Sequence, residues 1–167
     1  SIAKFLLFSS LLVLFVFGLV MAGAVTARAD TEFTPKIKNA MAAMKESAAK
    51  LGAVKIDGSS LFFGTTKIND NYALVDALKS KFGGTATFFI KKGDAFVRIS
   101  TNVMKDGKRA IGTPLDPSGP AIAAIRQGKE YYGIVDILGK LYDTGYEPIK
   151  NAKGEIIGIY YIGYPME

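Results

Sequence analysis

Two arginines stand where a side chain could do chemistry: Arg98, inside the strand-like run FVRIST, and Arg109, in the proline- and glycine-rich stretch GKRAIGTPLDPSGPAIAAI that also carries Thr113. Around them the chemistry is narrowed sharply, because the 167 residues include no histidine and no cysteine. Thiol nucleophiles, disulfides, zinc-finger ligand sets and Ser-His-Asp triads are therefore excluded. Acid/base work would rest on Asp, Glu, Lys or Tyr, and no phosphate-binding G-x-x-x-x-G-K or G-x-G-x-x-G run is present, so an enzyme is the least expected reading.

The elements that must position these residues are legible in part. In TATFFIKKGDAFVRIST a two-residue Gly93-Asp94 turn pairs Ile90 with Val97, Phe89 with Arg98 and Phe88 with Ile99. One face of this hairpin, Phe88, Ile90, Val97 and Ile99, is apolar and must be core. The other carries Thr87, Phe89, Phe96, Arg98 and Ser100, and is either a half-wet surface with Arg98 lying over Phe89 or a polar pocket wall.

A second hairpin is read in EYYGIVDILGKLYDTGYEPI, with a type II′ turn at Gly139-Lys140 that sets Leu138 opposite Leu141. That register places Gly133 opposite Tyr146, Val135 opposite Thr144, Ile137 opposite Tyr142, and Asp136 opposite Asp143. The face with Tyr131, Tyr142, Thr144 and Tyr146 is core or pocket, since a tyrosine across a strand glycine covers bare backbone while presenting a hydroxyl. The two aspartates, with Glu147 nearby, must be solvated, paired with lysines or occupied by a cation; solvation is the first expectation.

Upstream, DTEFTPKIKNAMAAMKESAAKLG reads as a helix capped by Asp30 or Thr34, with Pro35 in its first turn, Gly52 at its end and an apolar stripe of Ile37, Met41, Met44, Ala48 and Leu51. Val54 to Ile68 is irregular with short strand signals. NDNYALVDALKSKFGG is a second helix, capped near Asn69 or Asp70 and stopped at Gly83-Gly84. The closing run GEIIGIYYIGY, introduced by the Asn151-Ala152-Lys153-Gly154 turn, is apolar on both parities, as in a central strand covered on both sides. The order of elements describes an α+β, PAS-like antiparallel sheet with a long N-terminal helix.

Residues Phe5 to Ala27 carry no charge, and at about 1.5 Å per residue they reach about 35 Å, enough to cross a bilayer. Lys4 and the Ala27-Arg28-Ala29 end also fit a secretory signal. Both readings export everything after residue 29, and the apolar run exceeds a signal core, which favours a retained anchor with Lys4 on the cytoplasmic side. The expected organisation is thus residues 1–29 as transmembrane anchor or uncleaved signal and residues 30–167 as one extracytoplasmic domain, periplasmic and tethered to the cytoplasmic membrane. The net charge of +6 is scattered rather than massed on one face, which argues against nucleic acid.

From about Val54 to Glu167 the segments GTTKINDNYALVD, TATFFIKKGDAFVRIST, GKRAIGTPLDPSGPA, YYGIVDILGKLYDTGYEPI and NAKGEIIGIYYIGYP, in this order and spacing, resemble a single Cache domain of the Cache 3/Cache 2 fusion type found in bacterial chemoreceptors and sensor kinases. The resemblance implies a sensory domain outside the cytoplasmic membrane that binds a small molecule, often an organic acid or amine, between its sheet and covering loops, without a cofactor. It implies ligand-binding roles for Arg98, Arg109, Thr113, Tyr131, Tyr142 and Tyr146: arginine holds a carboxylate through two parallel hydrogen bonds and tyrosine hydroxyls complete the shell. For Arg109 the alternative is that it ties its loop to backbone carbonyls. The prolines and glycines of the opening stretch would form a preformed rim, seated on the core by a helix from Ala121 to Ile125. In the receptors a second membrane helix and a signalling module follow; here the sequence runs to Pro165-Met166-Glu167, so the expectation is a membrane-anchored module that binds a small organic anion and acts through a protein partner. The alternatives are a ligand-free accessory subunit of a larger membrane complex, for instance respiratory or photosynthetic, and a cleaved, diffusing binding protein. If Arg109 and the tyrosines of the final hairpin point away from any shared cavity, the binding role fails and the accessory-subunit reading survives.

Overall fold

The computed structural model describes residues 30–167. The apolar stretch at residues 5–27 and the anchor expected there lie outside the described residues, among which no helix is long and apolar enough to cross a membrane. Helix α1 (Thr34–Lys50) buries Ile37, Ala40, Met41, Met44 and Ala48, the expected stripe with Ala40 added. Leu51 does not join it: it sits past the last turn and is 38% exposed. Nor does Asp30 or Thr34 cap the helix. Phe33 holds the cap position with no side-chain bond, and its ring instead stacks on Tyr164 at 5.4 Å. Thr34 turns backward, accepting the Thr31 N–H at 2.9 Å.

The irregular region resolves into a small antiparallel sheet of β1 (Val54–Asp57), β2 (Ser60–Phe63) and β3 (Thr66–Lys67). Helix α2 (Ala73–Phe82) follows, its first N–H accepted by Asn71 Oδ1 at 3.2 Å rather than by Asn69 or Asp70. Asp70 instead adopts a positive φ of 59° and sends its N–H to the Ile99 carbonyl. Gly83, at φ 72°, ends α2 where the sequence places its stop.

Strands β4 (Thr85–Lys92) and β5 (Ala95–Thr101) form the hairpin around Gly93-Asp94, with Ile90 opposite Val97 and Phe89 opposite Arg98 as expected. Beyond Phe89 the register shifts at a bulge, and Phe88 faces Ser100 instead of Ile99. The extra residue turns Ser100 to the helix side, where its hydroxyl donates to the Asn71 carbonyl at 2.6 Å. A short ribbon, β6 (Met104–Lys105) with β7 (Lys108–Arg109), and helix α3 (Pro120–Arg126) lead to β8 (Tyr131–Ile137), β9 (Lys140–Lys150) and β10 (Ile156–Pro165).

The main sheet has the order β5-β4-β10-β9-β8, every pairing antiparallel, so β10 is central, as its two-sided apolar pattern requires. Its two faces make two cores. On one, Phe88, Ile90, Tyr160 and Ile162 meet Ile37, Met41 and Met44 of α1 and Val75 and Leu78 of α2. On the other, Phe89, Phe96, Tyr146, Ile159 and Tyr161 meet Leu115, Ile122 and Ile125 from the proline-bearing loop and α3.

The β8–β9 register differs from expectation by two residues. Ile137 pairs with Lys140, so the turn residues are Leu138 and Gly139, with φ of 55° and 89°, the double positive φ of a type I′ turn. Asp136 Oδ1 accepts the Gly139 N–H at 2.8 Å and steadies this strained pair. Asp136 therefore faces Leu141 and Asp143 faces Ile134, and the expected aspartate pair does not exist. Asp143 is 1% exposed and accepts the Thr31 hydroxyl, contrary to the expected solvated face. Glu147 bonds Lys45 of α1 at 2.5 Å and the Tyr132 hydroxyl at 2.6 Å. In this hairpin Tyr132, not Tyr146, covers a strand glycine: it lies over Gly145, where an added Cβ would be 2.7 Å from the ring.

Strand β10 passes so close to β4 that a Cβ at Gly158 would collide with the Phe89 carbonyl oxygen. Backbone cannot yield as a side chain can. Gly158→Ala should lower unfolding free energy by about 2–3 kcal/mol in a denaturant titration.

Candidate functional site

The loop after β7 becomes part of the sheet. Gly112 N–H donates to the Arg98 carbonyl at 2.8 Å, Arg98 N–H to the Thr113 carbonyl at 3.0 Å and Leu115 N–H to the Phe96 carbonyl at 2.8 Å. Residues 112–115 thus run along the outer edge of β5, and proline suits such a position because it has no N–H to leave unpaired. Asp116 then closes the turn toward α3, its Oδ1 accepting the N–H and hydroxyl of Ser118 at 2.9 and 2.8 Å, bonds that hold its carboxyl below the usual range. Pro120 occupies the first turn of α3. The seating helix expected at Ala121 to Ile125 forms, one residue longer at each end, and buries Ala121, Ile122 and Ile125.

Between this rim and β8 lies a cavity of about 570 Å³, lined by Arg98, Thr113, Pro114, Leu115, Ala121, Val135, Ile137 and Tyr146, with Lys105, Asp116, Asp136 and Leu138 also on its walls. Arg98 is 4% exposed, its guanidinium 5.0 Å from the centre of the Phe89 ring. The half-wet surface with an exposed Arg98 is not what forms: the guanidinium does lie over Phe89, but buried and in a pocket wall. Its Nη1 donates to Thr113 Oγ1 at 3.0 Å and to the Pro114 carbonyl at 3.1 Å. Thr113 passes its own proton to the Ala110 carbonyl at 2.6 Å.

The remaining edge of the guanidinium is unused. Nε is enclosed without a partner, and no described group bonds Nη2. The Tyr146 hydroxyl is likewise buried and unpartnered. Burial lowers the Arg98 pKa, and the nearby Tyr146 and Tyr161 hydroxyls partly offset this. Burial raises Tyr146, with Arg98 pulling the other way. Tyr161, whose hydroxyl bonds Thr85 Oγ1 at 2.9 Å, is raised too, by burial first.

Of the six residues singled out from sequence, Arg98, Thr113 and Tyr146 share this cavity and three do not. Arg109 points elsewhere: its Nη1 and Nη2 each meet an Asp76 oxygen at 2.8 Å, Nη1 also donates to the Thr101 carbonyl, and the guanidinium stacks 4.2 Å above Tyr72. It ties the loop to α2, close to the alternative of a loop-fastening role, with a carboxylate added to the carbonyl. Tyr131 packs beside Tyr146, ring centres 6.3 Å apart, and donates to the Ile134 carbonyl. Tyr142 lines a separate groove with Lys79, Lys105 and Lys140. Arg109, Tyr131 and Tyr142 thus point away from the cavity and Tyr146 alone of that set lines it, so the expected convergence fails; Arg98, Thr113 and Tyr146 still share one cavity, and any binding role rests on Arg98 rather than Arg109. Sequence reasoning missed the apolar walls, Leu115, Val135 and Ile137, whose alternating spacing marks only core. Among the described residues no cluster of three or more potential metal ligands occurs.

Two outcomes follow. Asp76 is nearly half exposed, so water screens its ion pair, and Arg109→Ala should cost about 1 kcal/mol in chemical denaturation. Burial, with a smaller contribution from Glu147, pushes Tyr160 up to about 12. Unfolded tyrosine titrates near about 10, so a raised folded value favours the native state in full below that pH and loses its contribution as pH rises toward 12. The Tyr160 contribution to unfolding free energy should hold to about pH 10 and fall from there to about pH 12, and Tyr132, Tyr146 and Tyr161, also raised by burial, should carry the loss to higher pH.

Comparison with known proteins bears on the whole of this arrangement. No match was found among curated protein sequences. Solved structures with similar chains include the E. coli DcuS sensor domain, 20% identical over 55% of this chain and 63% of that one, with a TM-score of 0.42. Another is the A. aeolicus nlh2 GAF domain in an inactive state, 14% identical over 81% of this chain and 83% of that one, TM-score 0.45. The likeness to DcuS spans less than two thirds of that chain, and neither likeness is close enough to carry a ligand across. The Cache 3/Cache 2 fusion domain, by contrast, matches residues 23–167, which include every described element of the fold, and the chain belongs to that family.

Proposed function

We propose that this Cache domain binds a small organic anion in the cavity between the proline-bearing rim and β8, outside the cytoplasm, tethered by residues 5–27, and acts through a protein partner. The observation that carries the reading is the free edge of Arg98. Nε and Nη2 present two parallel N–H donors, the geometry that accepts both oxygens of one carboxylate. A buried, half-bonded guanidinium is unfavourable, and an anion in the cavity would supply the missing acceptors. The Tyr146 hydroxyl, also enclosed without a partner, belongs to a residue that lines the same cavity and would add a third donor for a ligand that reached it. The proposal is one of binding without turnover.

A ligand that binds only the folded domain stabilises it by mass action, about 2.7 kcal/mol at a hundredfold excess over Kd. A panel of small carboxylates should therefore contain members that raise the Tm of the full chain. Arg98→Ala should abolish that shift and Arg109→Ala should leave it intact. A panel that moves nothing would favour the accessory-subunit reading.

A further inference from the structure

We infer that the ligand is a monocarboxylate with an apolar body of several carbons, in preference to a dicarboxylate or an amine; this rests on the anion-binding reading above. The cavity offers one buried cation with one free edge, enough for a single carboxylate. Its other charged walls are Lys105, Asp116 and Asp136, so a second carboxylate would meet two acidic groups against one lysine. Those two acids already have donors of their own: Asp116 holds Ser118, and Asp136 holds Gly139. They do not await an ammonium group as Arg98 awaits an anion.

Size and polarity point the same way. A cavity of about 570 Å³ is far more than a two-carbon acid fills. Beside Thr113 and the charged Lys105, Asp116 and Asp136, the walls carry Leu115, Ala121, Val135 and Ile137, whose side chains hydrogen-bond nothing and reward only apolar contact. A carboxylate seated on Arg98 and Tyr146 would lay its chain along these side chains.

The test is calorimetric titration of the full chain in lipid nanodiscs with acetate, butyrate, hexanoate, adipate, hexylamine and 6-aminohexanoate. Affinity is expected to rise about two- to fourfold per added methylene from acetate to hexanoate. Adipate, hexylamine and 6-aminohexanoate should each bind at least about tenfold more weakly than hexanoate, since a second carboxylate meets two acids against one lysine and an ammonium meets acids that already hold donors. Val135→Phe, which intrudes on the chain and leaves Arg98 in place, should weaken hexanoate about fivefold or more and spare acetate. A flat series, or adipate or 6-aminohexanoate equal to hexanoate, overturns the ligand class; if Arg98→Ala still abolishes that binding, the anion reading stands alone. Binding of hexylamine without any carboxylate, or of none of the six, overturns both.

Discussion

A guanidinium buried against a phenylalanine ring fixes much of what surrounds it. Arg98 cannot shed its proton at ordinary pH, and desolvation lowers its pKa without neutralising it, so the fold must supply acceptors. Two come from the proline-bearing loop, Thr113 Oγ1 and the Pro114 carbonyl, and the backbone of residues 112–115 joins β5 at the same place. The side chain thereby holds the rim against the sheet. Because Nη1 alone makes those bonds, Nε and Nη2 are left without a described partner.

The cavity and the long helix lie on opposite faces of one sheet, and single strands serve both. On β9, Tyr146 lines the cavity while the next residue, Glu147, bonds Lys45 of α1. On β10, Tyr161 sits beside Arg98's core and Tyr160 beside the helices. The close approaches at Gly145 and Gly158 leave little slack between these layers, as a close-packed interior requires. The cavity and helix α1 are thus joined through adjacent residues of the same strands.

Much of this was legible in the sequence where the pattern had only one solution. The two-sided apolar run of β10 permits only a central position, and Gly93-Asp94 fixes the β4–β5 hairpin, with Arg98 opposite Phe89. The β8–β9 register was not legible, for a definite reason. Turns at Leu138-Gly139 and at Gly139-Lys140 give pairings two residues apart, and a shift of two leaves every side chain on its own face, so hydrophobic alternation cannot choose between them. The bulge that moves Ser100 to the helix side leaves no mark in composition. Arg109 was misplaced because its partner, Asp76, lies 33 residues away on α2, a contact no local motif announces. The face of Arg98 was legible from strand periodicity, but whether that face is wet surface or pocket wall was not.

The account turns on whether the free edge of Arg98 receives a carboxylate. The most direct measurement is the NMR signal of the Arg98 Nε–H, assigned by its loss in an Arg98→Lys variant and followed as hexanoate is added. A new charge-assisted bond should move the proton downfield and slow its exchange with water, in step with saturation. A signal that stays unchanged while hexanoate binds would contradict the account, because the anion would then be held somewhere else.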